Sequence, residues 1–318
     1  MIKKIQHIPI PISGLILALF SIAKLQLSFH INGLAYVMMT LGFVFLVGML
    51  CKIFFTPKQV LKDLKNPIIA AVSPTFTMAI MVLCSIFMVK GTIWAIIWII
   101  VAIVHFILMI YFTYQFVLSS KVTMSHIYPS WFIMYIGMAI MPLTAGSLAS
   151  SITTVVFWAS IVFYIILLPL VLIRIFVMKN LEIPTQPLTT ILCAPGSLSL
   201  AAYLAHFNTK SEELIWILLI LSQILYVIVL CQLPKLLRLP FYPSYAAFTF
   251  PLVICATAFT NTMKYLGCNG VLWRSISILE TIIASIMVIY VAARYSIFLI
   301  QQMKPKPAVL SQDRMHKI

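Results

Sequence analysis

Long apolar stretches separated by short polar connections run along most of the chain. A helix needs about 20 apolar residues to cross a bilayer, and ten stretches approach that length. They predict helices at 8–25, 31–54, 67–89, 92–118, 128–148, 151–178, 187–207, 213–235, 241–263 and 271–300. We therefore predict an all-α polytopic membrane protein, with a single transmembrane domain over 1–303 and a polar tail over 304–318.

Prolines recur on alternate predicted helices. The odd-numbered helices carry Pro11, Pro74, Pro142, Pro195 and Pro251, spaced 63, 68, 53 and 56 residues apart. Proline frees a backbone carbonyl and bends a helix, which membranes tolerate where the carbonyl is buried or lines a water-filled cavity. We predict that kinked odd helices lie inside and apolar even helices face lipid. The alternative is that the kinks only aid packing, since proline is common in membrane helices.

The ninth predicted helix contains the most unusual of these prolines. Pro251 is expected to free the carbonyl of Ala247 four residues earlier. The bulky Phe250 directly precedes it. A freed carbonyl in hydrocarbon costs several kcal/mol unless a partner satisfies it, so this helix is expected to face a central pathway.

Composition and charge narrow the class of protein. The chain is 63% hydrophobic and only 8% charged, whereas soluble domains carry about 25% charged residues. The net charge is +15, but the basic residues lie in the connections, sixteen on one side and five on the other. This bias places both termini in the cytoplasm of a multi-pass cell-membrane protein and argues against a nucleic-acid partner. Trp94, Trp98, Trp216 and Trp273 are predicted to form an aromatic belt at the opposite interface.

Several short motifs resemble one transporter family. FTFPLVICATAF at 248–259, YPSW at 128–131, IPIPISGLILALFSIA at 8–23 and CAPGSLSLAAYL at 193–204 carry the resemblance. They resemble helices of the tellurite-resistance/dicarboxylate transporter family, which is related to the plant slow-type anion channels. Length and number of apolar stretches match along the whole chain.

The resemblance implies an architecture and a gate. Members of the family have ten helices arranged as five hairpins around a pseudo-fivefold central pore, and bacterial relatives are homotrimers. In the anion-channel relatives a phenylalanine on the ninth helix plugs the pore, and Phe250 is the matching residue. Phe248 lies about 200° away around a helix, so the two rings are not expected to share a narrow pore.

The predicted inner helices contain almost no fixed charge. Weak, multiple contacts suit conduction because a tightly bound anion would not leave. We therefore predict hydroxyl contacts from Thr77, Thr144, Ser197 and Thr249. Glu280 is the one acidic residue in the interior of a predicted helix, since Glu213 stands at the first position of its own. It is either a proton-coupling group or a structural partner, and its place on an outer helix favours the second.

These observations predict transport of anions rather than catalysis. The candidates are an organic acid such as a C4-dicarboxylate, an oxyanion such as tellurite or sulfite, and an inorganic anion. The alternative is a non-transporting membrane subunit. A membrane enzyme is least favoured, because the sequence lacks clustered acids, bases or metal ligands. No cofactor or metal is expected.

Overall fold

The computed structural model describes residues 5–87, 91–119 and 122–303. Within them the regular elements are helical. The α-helices are α1 Ile12–Ser28, α2 Asn32–Phe55, α3 Pro57–Asp63, α4 Pro67–Val72, α5 Pro74–Phe87, α6 Thr92–Phe112, α7 Trp131–Tyr135, α8 Ile140–Thr144, α9 Ser151–Leu172, α10 Ala194–His206, α11 Glu212–Leu236, α12 Phe250–Tyr265 and α13 Val271–Met303. The predicted tail over 304–318 lies outside the described residues, as do Lys3, Lys4, Lys90 and Lys121 of the charge count.

Tighter and wider helical turns interrupt or extend these helices. The 3₁₀ segments are Met124–His126, Gly137–Ala139, Gly146–Leu148, Ile183–Cys193 and Pro243–Phe248. The π segments are Thr113–Leu118, which continues α6, and Ile173–Met178, which continues α9. The 3₁₀ segments Ile183–Cys193 and Pro243–Phe248 lead into α10 and α12, so each of these predicted helices is a broken one.

Eight helices within the described residues are long and apolar enough to cross a membrane. They make the chain an integral membrane protein. The first predicted helix is present as α1 but has only 17 residues. The fifth, predicted over 128–148, is split into α7, α8 and short 3₁₀ turns. Pro142 removes a backbone donor there, and Gly146 takes a positive φ of 52°.

Burial differs sharply between neighbouring helices. In the most apolar part of Pro243–Tyr265 and of Ile183–His206, 89% of residues are buried. The corresponding figures are 17% for Thr92–Leu118 and 22% for Ser151–Met178. The exposed side chains of these two helices are large and apolar, as lipid contact requires. The predicted contrast between buried odd and exposed even helices is therefore present in these four segments.

Three of the five prolines on odd-numbered predicted helices stand at helix starts, whereas Pro169 and Pro234 lie inside α9 and α11. Pro74 begins α5, and Pro195 and Pro251 lie in the first turns of α10 and α12. Proline is tolerated in a first turn because its missing N–H would have no partner there. The ninth predicted helix is thus not one continuous α-helix, and our placing of Pro251 in the middle of one was wrong.

Hydroxyl side chains satisfy the carbonyls freed at these breaks. Thr190 Oγ1 lies 2.6 Å from the carbonyl oxygen of Ala247 and 2.8 Å from that of Pro187, so its one proton is shared between the carbonyl expected to be freed beside Pro251 and a local one. Ser13 Oγ lies 2.7 Å from Ile10 O, which also accepts the Ser13 N–H, and Thr75 Oγ1 lies 2.7 Å from Val72 O. The two hydroxyls also lie 2.7 Å apart, so their two protons serve these three contacts. A buried carbonyl with such a partner avoids most of its desolvation cost. These hydroxyls therefore offset part of the cost of burying the broken helices.

The broken segments pack closely at their centres. A Cβ at Gly14 of α1 would lie 3.3 Å from the Cβ of Ala246 in the Pro243–Phe248 segment. Ser13 Oγ and Thr75 Oγ1 are 2.7 Å apart and connect α1 to α5. Small residues and paired hydroxyls let these backbones approach as closely as they do. The buried segments enclose the cavities described next.

Candidate functional site

An apolar chamber lies where the proline-containing segments meet. Its cavity volume is about 60 Å³. All five odd-numbered predicted helices contribute to its wall. The lining residues are Pro11, Gly14, Val72, Thr75, Met78, Phe132, Ile133, Ile136, Gly137, Leu188, Ile191, Ala194, Pro195, Leu198, Ser244, Ala246, Ala247, Phe250 and Pro251. Among the described residues of its wall, the hydroxyl side chains are Thr75 and Ser244, and none is charged.

A second cavity, the Lys24 cavity, adjoins the chamber. Its volume is about 270 Å³. It also takes residues from all five odd-numbered predicted helices. They are Ser21, Lys24, Leu25, Ser28, Val82, Ile140, Leu143, Thr144, Ala205, Phe250, Ile254, Thr257 and Asn261. Phe250 belongs to the walls of both the chamber and the Lys24 cavity.

A third cavity, the Lys52 cavity, adjoins the other side of the chamber. It measures about 460 Å³ and shares Pro11, Val72, Leu188 and Ser244 with the chamber. Lys52 is 1% exposed, and its ammonium donates to Asp63 Oδ2 and to Ile8 O, each at 2.6 Å. The positive charge of Lys52 is thus neutralised by Asp63.

The three cavities form a row along α1. Pro11, before its first residue, lines the chamber and the Lys52 cavity, and Ser28, its last residue, lines the Lys24 cavity. A 17-residue α-helix is about 25 Å long. The order is Lys52 cavity, chamber, Phe250 and Lys24 cavity, so the ring of Phe250 stands between the last two spaces.

Phe248 and Phe250 occupy different surroundings. Phe248 is fully buried and packs against Tyr245, with ring centroids 4.8 Å apart. Phe250 is 7% exposed and faces the two cavities. The break at Thr249 between the 3₁₀ segment and α12 separates the two rings.

The hydroxyls predicted to contact the anion are engaged in local hydrogen bonds. Each donates to a backbone carbonyl three or four residues earlier: Thr77 to Pro74, Thr144 to Ile140, Ser197 to Cys193 and Thr249 to Ala246. A hydroxyl has one proton to donate, so these oxygens act as acceptors toward anything else. Thr144 lines the Lys24 cavity, whereas the other three are absent from the walls of the three cavities.

Two of these hydroxyls connect inner segments to exposed helices. Thr77 Oγ1 lies 2.8 Å from Nδ1 of the buried His105 on α6. Trp98, also on α6, donates its indole N–H to Thr144 Oγ1 at 2.9 Å. Trp98 is 5% exposed, so its predicted place in an interfacial belt was wrong. Its N–H needs a partner away from water, and Thr144 supplies it.

The predicted prolines divide into two groups. Pro11, Pro195 and Pro251 line the chamber. Pro74 at the start of α5 and Pro142 within α8 are buried but do not line any of the three cavities. The effect of these last two on the cavities passes through the backbone breaks they cause.

Glu280 lies away from the cavities. Its side chain is buried on α13, and its Oε2 has no hydrogen-bond partner among the described residues. Gln223 of α11 lies beside the carboxyl. None of the three cavities has Glu280 in its wall.

Sequence reasoning missed the residues with free donors. Lys24, near the end of the first predicted helix, was counted only among the five basic residues of the side opposite the termini, yet it lines the Lys24 cavity. Asn261 lies on α12 in the same cavity wall. A helical signal was present, because Phe250, Ile254, Thr257 and Asn261 recur at three- and four-residue spacing and so share a face of α12.

Apolar helices able to cross a membrane, together with a row of cavities between broken helices, are typical of membrane channels and transporters. The sequence profile described as voltage-dependent anion channel matches residues 8–295, so the chain belongs to this family. The resemblance to the tellurite-resistance/dicarboxylate transporters and the slow-type anion channels is thereby confirmed.

Two uncharacterized transporters from Methanocaldococcus jannaschii are similar to this chain. One is 26% identical over 266 residues, covering 74% of this chain and 76% of the relative. The other is 27% identical over 252 residues, covering 69% and 71% respectively. Both the family and these relatives support anion transport as the general function.

Proposed function

We propose that this protein moves small anions along the Lys52 cavity, the chamber and the Lys24 cavity, with Phe250 as the gate. The observation that carries the proposal is the position of the Phe250 ring in the walls of both the chamber and the Lys24 cavity. The family supports anions as the cargo. Five hairpins around a pseudo-fivefold axis, with the proline-containing segments inside, would surround such a row of cavities.

The proposal extends to assembly and placement in the cell. By family resemblance we propose a homotrimer in the cell membrane, each protomer with its own pathway. Sixteen of the basic residues lie on the side of the termini, and this bias supports a cytoplasmic position for both termini. The Lys52 cavity then opens to the cytoplasm and the Lys24 cavity to the outside.

Anion uptake by proteoliposomes tests the proposal directly. Purified protein is expected to give saturable uptake above that of empty liposomes for at least one of chloride, nitrate, malate, sulfite and tellurite. Each anion is measured with and without a proton gradient, and potassium uptake at equal ionic strength serves as the control. Absence of uptake for every anion under both conditions would favour the non-transporting membrane subunit.

Glu280 provides a test of passive against proton-coupled movement. We propose a structural role for Glu280, supported by its absence from the walls of the three cavities. Glu280→Gln keeps the shape of the side chain and removes its ionisable proton. Anion uptake by this variant is expected to stay within about twofold of the wild type, with the same response to a proton gradient.

A loss of proton dependence would reverse this assignment. If wild-type uptake rises with an imposed proton gradient and Glu280→Gln abolishes that rise, Glu280 is the coupling group. Gln223→Leu is the matched control, because it removes the neighbouring amide and leaves the carboxyl in place. If Glu280 and Gln223 form a structural pair, both variants lose thermal stability. Both then keep the wild-type response to the proton gradient.

A further inference from the structure

The Lys24 cavity contains a cation that no acidic group neutralises. Lys24 is exposed to this space, and its ammonium donates to Ser85 Oγ at 2.8 Å. An ammonium has three donors, so two remain after this contact. Among the described residues Lys24 forms no ion pair, and the cavity wall contains neither aspartate nor glutamate.

The other free groups of this cavity are also donors. Ser28, Thr144 and Thr257 each give their hydroxyl proton to a backbone carbonyl. Ser21 Oγ, by contrast, has no partner among the described residues. The side-chain amide of Asn261 makes no hydrogen bond in the part of the chain that the structure describes. An ammonium, a hydroxyl and an amide N–H₂ together favour a negatively charged ligand.

The surroundings strengthen the positive potential of the Lys24 cavity. A neighbouring cavity of about 410 Å³ shares Ser28 with it and is lined by Lys264 and Arg274. That cavity wall also contains no acidic side chain. Clefts lined by one sign of charge raise the local concentration of the opposite ion. The Lys52 cavity differs, because Asp63 neutralises Lys52 and Glu182 adds a further carboxylate.

We propose that the Lys24 cavity binds a single small anion directly in front of Phe250. This inference rests on the proposed function and deepens it by naming the binding site. The Lys24 ammonium supplies the charge, and the Ser21 hydroxyl and the Asn261 amide supply additional hydrogen bonds. Sharing of the ammonium with Ser85 keeps binding weak, so the anion is released when Phe250 moves. The site accepts chloride, nitrate or a small oxyanion.

Current measurements in planar bilayers test the site from each side separately. For wild type, the half-saturating nitrate concentration is measured with nitrate varied on the Lys24 side and then on the Lys52 side. Lys24→Gln is expected to raise this concentration roughly fivefold to tenfold on the Lys24 side and to leave the other side unchanged. Lys24→Arg retains the charge and is expected to stay within about twofold of the wild type. Asn261→Ala is expected to raise it about twofold to threefold, as loss of one hydrogen bond.

Lys210→Gln is the matched control. Lys210 is another lysine of the same predicted side, its ammonium lies over the Tyr265 ring at 4.9 Å, and it lines none of these cavities. If Lys24→Gln and Lys210→Gln give the same half-saturating concentrations on both sides, the site is refuted while anion conduction stands. If the wild type conducts no anion at all, the proposed function is wrong, and the proposed anion site is then wrong as well. Size-exclusion profiles and thermal midpoints identify any variant that fails to fold, and Asn261→Ala then provides the same comparison.

Discussion

Phe250→Ala is expected to raise anion flux at least about tenfold, which corresponds to removing about 1.4 kcal/mol from the barrier. The ring is the part of the wall common to the chamber and the Lys24 cavity, so truncation to a methyl group joins the two spaces. Uptake by proteoliposomes under saturating anion measures the change. Phe250→Leu is expected to lie between the wild type and Phe250→Ala, because leucine fills part of the same space.

Phe248→Leu is the matched control for Phe250→Leu. It removes the same ring two residues away, where the side chain packs against Tyr245 instead of facing the cavities. We expect lower thermal stability and unchanged flux per folded protein. Unchanged flux in a folded Phe250→Ala variant would show that Phe250 is not the gate. The family membership of the chain would not be affected.

Asp63→Ala is expected to produce the largest loss of stability, about 2 to 3 kcal/mol. The side chains of Lys52 and Asp63 are 2% and 19% exposed, with Nζ and Oδ2 2.6 Å apart. Removing the carboxylate leaves a buried ammonium with Ile8 O as its remaining protein partner. The figure lies below that for a fully buried pair because Asp63 retains some contact with water. The measurement is the thermal unfolding midpoint in detergent.

Two comparisons separate the ion pair from a general charge effect. Glu182→Ala removes a carboxylate from the wall of the same cavity, but Glu182 is exposed, so its thermal midpoint is expected to remain near that of the wild type. The double variant Lys52→Met with Asp63→Leu removes both charges and is expected to recover most of the loss. Equal midpoints for Asp63→Ala and Glu182→Ala would contradict a stabilising role of the pair.

The proline pattern predicted where the helices break and which segments are buried. A missing N–H and a fixed φ act locally, so Pro74, Pro195 and Pro251 mark the helix starts directly in the sequence. Whether a break is a bend or a change to 3₁₀ geometry depends on neighbours distant along the chain. Thr190, 57 residues before Ala247, contacts the carbonyl there, and no local pattern connects the two.

The roles of the polar residues were harder to predict. A hydroxyl three or four residues after a free carbonyl can bond that carbonyl or face a cavity, and both uses look alike in sequence. Thr77 and Thr144 illustrate this, because each also contacts the exposed helix α6 through His105 or Trp98. Lys24 and Lys52 both lie near ends of apolar stretches. The rotation of each helix, which sequence does not show, gives Lys52 an ion pair and leaves Lys24, among the described residues, with a serine hydroxyl as its partner and no carboxylate.

The apolar chamber next to Phe250 has a consequence for hydration. Its two hydroxyl side chains, Thr75 and Ser244, donate to the carbonyls of Val72 and Pro184, so they offer a passing anion no proton. On the pathway we propose, an anion entering from the Lys24 cavity would leave most of its water behind and form few new hydrogen bonds with the chamber wall. Dehydration is easier for thiocyanate or nitrate than for chloride, and hardest for fluoride. On that pathway, selectivity among anions would follow the strength with which each holds its own water, because the described residues of the chamber wall include no charged side chain.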